Sequence, residues 1–396
     1  MKETKFKNTE IGKIPEEWKM YSIGKDCSVK ARIGWQGLTT SEYLQTGHYG
    51  LITSTDLIEG KVNWDTCVFV SEERYKQDTN IIVKNGDVLV SKDGTIGKVA
   101  VVSNLQYPTT LNSGVFVIRT KNEKITQEGL GLVFISPYFK DFIKRLTAGS
   151  TIVHLYQKDI VNFTFPIPTL PEQHRIASAL TSIDNLISSL GKLIEKKKNI
   201  KQGTMQQLLT GQIRLKGFSE PWGEKKLEEV CSVKRGVRVV KRNLTTDGLY
   251  PVYQNTNFPL GYSNQYNVEA YTPFVIIGGS AGQVGICRER YWAADDCAFF
   301  ACHDIYKEYL YYVLLLNQSN ILHNVRTGTI PRLDRSFLSN MVVYISSNID
   351  EQQAIATILT KMDDEITALE AKRAKYEAIK QGMMQQLLTG KIRLIS

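Results

Sequence analysis

One feature constrains this chain more than any other: it repeats itself. The stretch from Glu172 to Leu215 matches Glu351 to Leu394 without a gap, at a constant offset of 179, with more than half of the positions identical. The endings are almost one word, I-K-Q-G-T-M-Q-Q-L-L-T-G-Q-I-R-L and I-K-Q-G-M-M-Q-Q-L-L-T-G-K-I-R-L. A fainter echo precedes each copy: W-K-M-Y-S-I-G-K-D-C-S-V-K from Trp18 answers W-G-E-K-K-L-E-E-V-C-S-V-K from Trp222 at an offset of 204. Gly97-Lys98-Val99 answers Gly282-Gln283-Val284, and G-S-T-I-V-H-L from Gly149 answers G-T-I-P-R-L from Gly328. The order is therefore A-B-A′-B′. Similar B units imply that they meet the same thing twice; diverged A units imply that they meet two different things.

The B units read as long helices. Ile176, Leu180, Ile183, Ile187, Leu190 and Ile194 alternate in steps of four and three, and Ile355, Leu359, Met362, Ile366, Leu369, Arg373 and Tyr376 follow the same rule. That is a heptad seam, and two such seams in one chain are natural partners. Pro171 suits a first helical turn, Asp350 with Gln353 resembles a capping box, and Gly211 and Gly390 stand where a helix ends. Gly203 and Gly382 interrupt both seams at the same place, which implies a kink or a close helix approach. Lys192, Lys196, Lys197, Lys198 and Lys201 make the first B unit basic, against Asp363, Asp364, Glu365 and Glu370 in the second.

The A units read as mixed α/β domains. Short Val/Ile/Phe-rich runs (87–91, 98–102, 114–119, 274–277 and 284–287) alternate with Gly and Asn turns, and the apolar stretches 130–146 and 306–325 read as helices. At about 150 residues per domain, 396 residues allow two to three domains. The expected boundaries are 1–168 for the first globular domain, 169–216 for the first helix, 217–348 for the second domain and 349–396 for the second helix.

Catalytic chemistry is hard to place. A phosphate loop needs G-x-x-x-x-G-K-[ST], which Ser91-Lys92-Asp93-Gly94-Thr95-Ile96-Gly97-Lys98 lacks. Asp56 with Glu59-Gly60-Lys61 is too short a set for a metal-dependent nuclease, and Ser136-Pro137-Tyr138-Phe139 lacks the amide and second proline of a base-flipping tetrapeptide. Cys297, Cys302 and His303 form the one compact metal-type group, and nothing completes four ligands. His154 and His174 have no evident Ser or Cys partner. The six cysteines include no C-x-x-C pair, so reduced thiols are expected. Lys plus Arg total 49 against 40 acidic residues, a net +9 that suits a polyanion partner. A polar N-terminus and the lack of an 18-residue apolar window point to a cytoplasmic protein away from membranes.

The whole arrangement resembles the specificity subunit of type I restriction-modification systems. The residues that carry it are T-E-I-G-K-I-P-E-E-W at Thr9 to Trp18, S-K-D-G-T-I-G-K-V at Ser91 to Val99, the G-S-T-I element before P-I-P-T-L-P-E-Q at Pro166 to Gln173, and the twin M-Q-Q-L-L-T-G-x-I-R-L endings. The resemblance implies an α/β (α+β) protein. Two target-recognition domains are joined by two long helices in an antiparallel coiled coil, in a pseudo-twofold tandem-repeat architecture. It also implies a chain without catalysis or cofactor of its own. Each recognition domain would read half of a bipartite site in double-stranded DNA, while the helices set the spacer and dock two copies of a modification subunit. That partner would use S-adenosylmethionine to methylate adenine; a restriction partner, where present, would use ATP and Mg.

Sequence readout needs donors and planar cations at base edges, with lysines and hydroxyls on phosphates. The DNA-binding candidates follow the C-S-V-K strands: Arg32, Trp35 and Gln36 in A, and Arg235, Arg238, Lys241 and Arg242 in A′. Later loops add Lys92, Lys98, Tyr156 and Lys158, and Arg326, Arg332 and Arg335. The other reading is a coiled-coil scaffold whose globular domains bind proteins, which a steep salt dependence of DNA binding would exclude.

Overall fold

The computed structural model describes residues 4–148, 154–240, 242 and 244–395, apart from the side chain of Trp35. The chain forms two compact units, Met1–Ser189 with Arg373–Ser396, and Leu190–Lys372. Two long helices, Leu170–Leu209 and Ile349–Leu387, each contribute one segment to each unit.

In the first unit an antiparallel sheet runs in the order Val99–Val101, Val88–Ser91, Val115–Thr120, Cys27–Lys30. Alternation splits its residues between two cores. Val29, Val88, Val90, Phe116 and Ile118 pack with Leu130, Phe134 and Phe139 from the helices Gln127–Ile135 and Pro137–Thr147. Leu89, Ala100, Val115 and Val117 pack with Ile52 and Leu111 on the other side. These last two residues belong to a small sheet in which Tyr49–Ile52 pairs antiparallel with Val68–Val70 and parallel with Thr109–Leu111.

The second unit repeats this plan. Its sheet runs Val284–Ile286, Pro273–Ile276, Cys297–Cys302, Cys231–Arg235, and Tyr250–Tyr253 pairs antiparallel with Gly261–Ser263 and parallel with Trp292–Ala293. The faint echo between the A units is thus a repeat of fold. Each long apolar stretch expected as one helix is two: Gln127–Ile135 and Pro137–Thr147 break at Ser136, and Lys307–Leu316 and Gln318–His323 break at Asn317.

The long helices pair antiparallel within each unit. In the first, Ile176 and Leu180 pack on Leu387 and Leu388, and Lys380 Nζ reaches Asp184 Oδ1 at 2.6 Å. In the second, Leu208 and Leu209 share a core with Ile355 and Leu359, while Lys197, Lys198 and Lys201 pair with Glu365, Glu370 and Asp363 at 2.7, 2.6 and 2.5 Å. The basic run therefore meets the acidic one across the helix pair. Of the seam residues, Ile183, Leu190, Ile194 and Ile366 are buried, and Ile187, Met362, Leu369 and Tyr376 are half-buried.

Two expectations about the helices change. Asp350 is not a cap, because the second helix begins at Ile349 and it is Asn348 whose Oδ1 accepts from Glu351 N at 3.0 Å. Gly203 and Gly382 mark no close approach, since a Cβ at either would meet nothing within 4 Å and both helices run through them; nothing in the structure explains these glycines.

Each unit is closed by a Trp–Glu–Arg clasp. Trp18 Nε1 donates to Glu172 Oε2 at 3.1 Å, and Arg393 donates to both oxygens of the same carboxylate. In the second unit Trp222 Nε1 donates to Glu351 Oε2 at 3.0 Å, and Arg214 donates to both oxygens. Gly390 and Gly211, both at φ +69°, turn the chain from helix end to arginine. A Cβ on Gly390 would stand 2.3 Å from Pro15 Cγ, so this turn also needs the missing side chain.

Candidate nucleic-acid interface

The turn between Ser91 and Val99 is held by its first residue. Ser91 Oγ donates to Thr95 O at 2.6 Å and accepts from Lys98 N at 2.9 Å, while Gly97 N donates to Ser91 O at 3.0 Å. Gly94 and Gly97 have φ of +69° and +77°, a conformation glycine takes at no steric cost. The corresponding turn in the second unit keeps the same geometry without the lysines. Gly279 and Gly282 have φ of +86° and +88°, and Gly282 N donates to Ile276 O at 2.7 Å. The departure of Gly279-Ser280-Ala281-Gly282 from the first motif is a change of side chains on one backbone.

A later loop returns against each turn. Leu155 N donates to Lys92 O at 2.7 Å, which brings Lys92, Lys98, Tyr156 and Lys158 into one neighbourhood. Tyr156 is 53% exposed, and Lys158 Nζ stands 5.4 Å from its ring centroid. Lys92 Nζ lies 5.3 Å from the centroid of Phe116. In the second unit Leu333 N donates to Ile277 O at 3.0 Å, and Arg326 and Arg332 exchange backbone hydrogen bonds at 2.8 and 3.1 Å. Arg332 Nη1 is 3.6 Å from Asp296 Oδ1, and Arg235 Nε donates to Asp295 O at 2.7 Å, so these two arginines flank one Asp-Asp pair. Arg335 opens the short helix Arg335–Asn340, capped by Asp334, whose carboxyl is held below its usual range by the Ser336 amide.

The loop after the second C-S-V-K strand is pinned at its start. Val237 N donates to Ala293 O at 2.9 Å, and a Cβ on Gly236 would stand 2.1 Å from Ala294 O. Beyond it Arg238 and Arg242 are exposed, and no hydrogen bond or ion pair among the described residues uses their side chains. Lys241 lies outside the described residues, as does the side chain of Trp35.

Arg32 is corrected. It is 1% exposed, and its guanidinium donates to Leu111 O at 2.9 Å, Gln77 Oε1 at 3.1 Å, Thr110 Oγ1 at 3.1 Å and Arg74 O at 3.3 Å. Burial, then the Arg74 charge, lower its pKa from the usual guanidinium range. It fastens the end of its strand to the neighbouring sheet and has no face for DNA. Gln36 is 8% exposed with an unpartnered Oε1 and likewise offers little surface.

Asp56 is buried and accepts from Thr53 N, Thr53 Oγ1 and Thr66 Oγ1 at 2.7 to 2.9 Å, which makes it the organiser of a turn. Among the described residues no group of three or more His, Cys, Asp or Glu could hold a metal ion. No described helix is long and apolar enough to cross a membrane. Sequence reasoning passed over His154, whose Nδ1 meets Asp93 Oδ1 and whose ring lies 4.6 Å from that of Tyr156. The signal was the G-S-T-I-V-H-L echo, which sets His154 against Arg332.

A family model described as the type I restriction modification DNA specificity domain matches residues 15–202 and again residues 219–381. This chain belongs to the type I specificity family. Its two matched segments each hold one A unit and much of one B helix, so the family's domain is the repeating unit of this fold. The putative type I restriction enzyme MjaX specificity subunit of Methanocaldococcus jannaschii is 24% identical over 431 aligned positions, covering 99% of this chain and 98% of that one. The MjaVIII specificity subunit of the same organism is 28% identical over 218 residues, 54% of this chain and 50% of that relative. Among solved structures, a type I restriction-modification S subunit from M. genitalium superposes with a TM-score of 0.68 at 16% identity, covering 93% of this chain and 96% of that one. That likeness places the type I specificity chain in the same mixed α/β fold.

Proposed function

We propose that this chain is the non-catalytic, sequence-reading subunit of a type I restriction-modification complex. Each A unit reads one half of a bipartite site in double-stranded DNA, and the paired helices fix the unspecified spacer between the halves. The observation that carries this reading is the doubled fold: one sheet topology, one glycine turn and one Trp–Glu–Arg clasp occur in each unit, while the exposed loops differ. Equal frameworks with unequal loops suit two readers of different short sequences. The similar B units, with almost the same endings, offer two equivalent docking surfaces, hence two copies of a modification subunit. Those partners supply S-adenosylmethionine and methylate adenine; restriction subunits, where they exist, supply ATP- and Mg-dependent cleavage. The complex works in the cytoplasm.

Selection of bound duplexes from a random pool by the chain assembled with its modification subunit tests this. The expected product is two short sequences at a fixed separation, bound with an affinity that falls linearly in log K against log salt. A single contiguous motif, or no sequence preference, contradicts it.

A further inference from the structure

His154 and Arg332 hold the same place in the two units. Each precedes the leucine whose amide bonds the second residue of the glycine turn, Lys92 or Ile277, and each bridges to the next residue of that turn, Asp93 in one unit and Gly278 in the other. Both side chains face a carboxylate, yet the carboxylates come from opposite sides of the bridge. In the first unit Asp93 itself meets His154 Nδ1, and the position facing it is Gly114, where a Cβ would stand 3.3 Å from Asp93 Oδ2. In the second unit Asp296 takes the place of Gly114: its carbonyl accepts from Ile277 N at 2.8 Å as that of Gly114 accepts from Lys92 N at 2.9 Å. Asp296 pairs with Arg332, and Gly278 is bare because a Cβ there would stand 2.4 Å from Asp296 Oδ1. The space admits one carboxylate, and each unit supplies one from a different side, the glycine turn in one and the turn that faces it in the other.

We propose that His154 and Arg332 are one specificity-determining position used twice, each presenting a hydrogen-bonding edge to one base pair of its half-site, with Asp93 and Asp296 as positioning residues. This rests on the DNA-reading function above. The carboxylate occupies one nitrogen of the imidazole and fixes the ring against Tyr156, which leaves Nε2 as its remaining polar atom. The ion pair through Arg332 Nη1 orients the guanidinium and leaves other N–H groups for a forked contact such as guanine O6 and N7 accept. The side chains of His154 and Arg332 are 35% and 59% exposed, so both are within reach of a ligand. The carboxylate in each pair repels a phosphate, which makes each pair a poor backbone contact and a suitable base-edge contact.

The test is selection of duplexes from a random pool by the assembled complex, comparing wild type with His154→Ala and Arg332→Ala. Each variant is expected to relax one base pair, in different halves of the site, with roughly 5- to 100-fold loss of discrimination there. Non-specific affinity and the salt slope stay as in wild type. Asp93→Asn is expected to relax the same base pair as His154→Ala. His154→Arg, which retains a polar side chain if alanine loosens the loop, is expected to change the preferred base at that position. Unchanged motifs in these variants, or equal loss on all sequences with a shallower salt slope, overturn the assignment. Absence of a split motif for the wild-type complex overturns the DNA-reading function as well, so the two failures are distinguishable.

Discussion

Arg393 donates from Nε and Nη2 to the two oxygens of Glu172, at 2.7 and 2.8 Å, across 221 residues of sequence. The arginine after the second long helix thus grips the start of the first, while Arg214, after the first, grips Glu351 at the start of the second at 2.6 and 2.9 Å. Glu172 and Glu351 are buried, so each needs its cation and its tryptophan donor.

Removing either arginine leaves a buried carboxylate unpaired. The expected loss for Arg393→Ala, whose side chain is only 6% exposed, is about 3–5 kcal/mol. The loss for Arg214→Ala is smaller, because that side chain is 30% exposed and solvent screens the pair. Denaturant unfolding of the two variants checks the order; equal and negligible losses contradict it.

Arg32→Ala is expected to cost stability and to spare recognition. Four hydrogen bonds from one buried guanidinium disappear, leaving Leu111 O and Thr110 Oγ1 without a donor, at roughly 1–3 kcal/mol per orphaned group. The check is thermal unfolding together with the recognised motif of the remaining folded complex: a lower Tm with an unchanged motif is expected, and an unchanged Tm with an altered motif is not.

How much of this was legible in the sequence depends on the kind of residue. The helix pair was, because a heptad seam is a property of spacing alone, and Ile176 through Ile366 fall on it as written. The strands Val88–Ser91, Val99–Val101, Val115–Thr120, Pro273–Ile276 and Val284–Ile286 were, to within a residue, because a sheet buried on both faces leaves Val and Ile runs between glycines. Arg32 was not: a cation after a strand reads as surface, and its acceptors come from residues 42 to 79 positions away. Nor was the role of His154, which has no partner near it in sequence and meets Asp93, 61 residues away. The clasp escaped for the same reason, although its Trp, Glu and Arg all stand within the repeats.

The cysteines give a chemical prediction. Burial pushes the thiols of Cys27, Cys67, Cys231 and Cys302 up to about 12, with Asp26 adding to the shift at Cys27 and Asp56 at Cys67. The thiolate is the reactive form, so alkylation of the native chain at pH 8 is expected to be slow at all four and rapid only after unfolding. Mass spectrometry after a timed iodoacetamide pulse reads this directly; fast labelling of the folded protein contradicts it.

Arg238 and Arg242 distinguish two modes of contact. Substitution by alanine is expected to weaken binding by about 1–3 kcal/mol and to relax one position of the second half-site if the side chain reads a base. A loss that is equal on all sequences, with a shallower salt slope, assigns it to the phosphates instead.

The most direct test of the account is a change of ruler. Seven residues inserted into both long helices, after Ser189 and after Lys372, keep the heptad seam and lengthen the pair by about 10 Å. At about 3.4 Å per base pair, the methylated motif of the assembled complex should keep both half-sequences and gain about three base pairs of unspecified spacer. An unchanged spacer in the methylation pattern would contradict the claim that the paired helices measure the site.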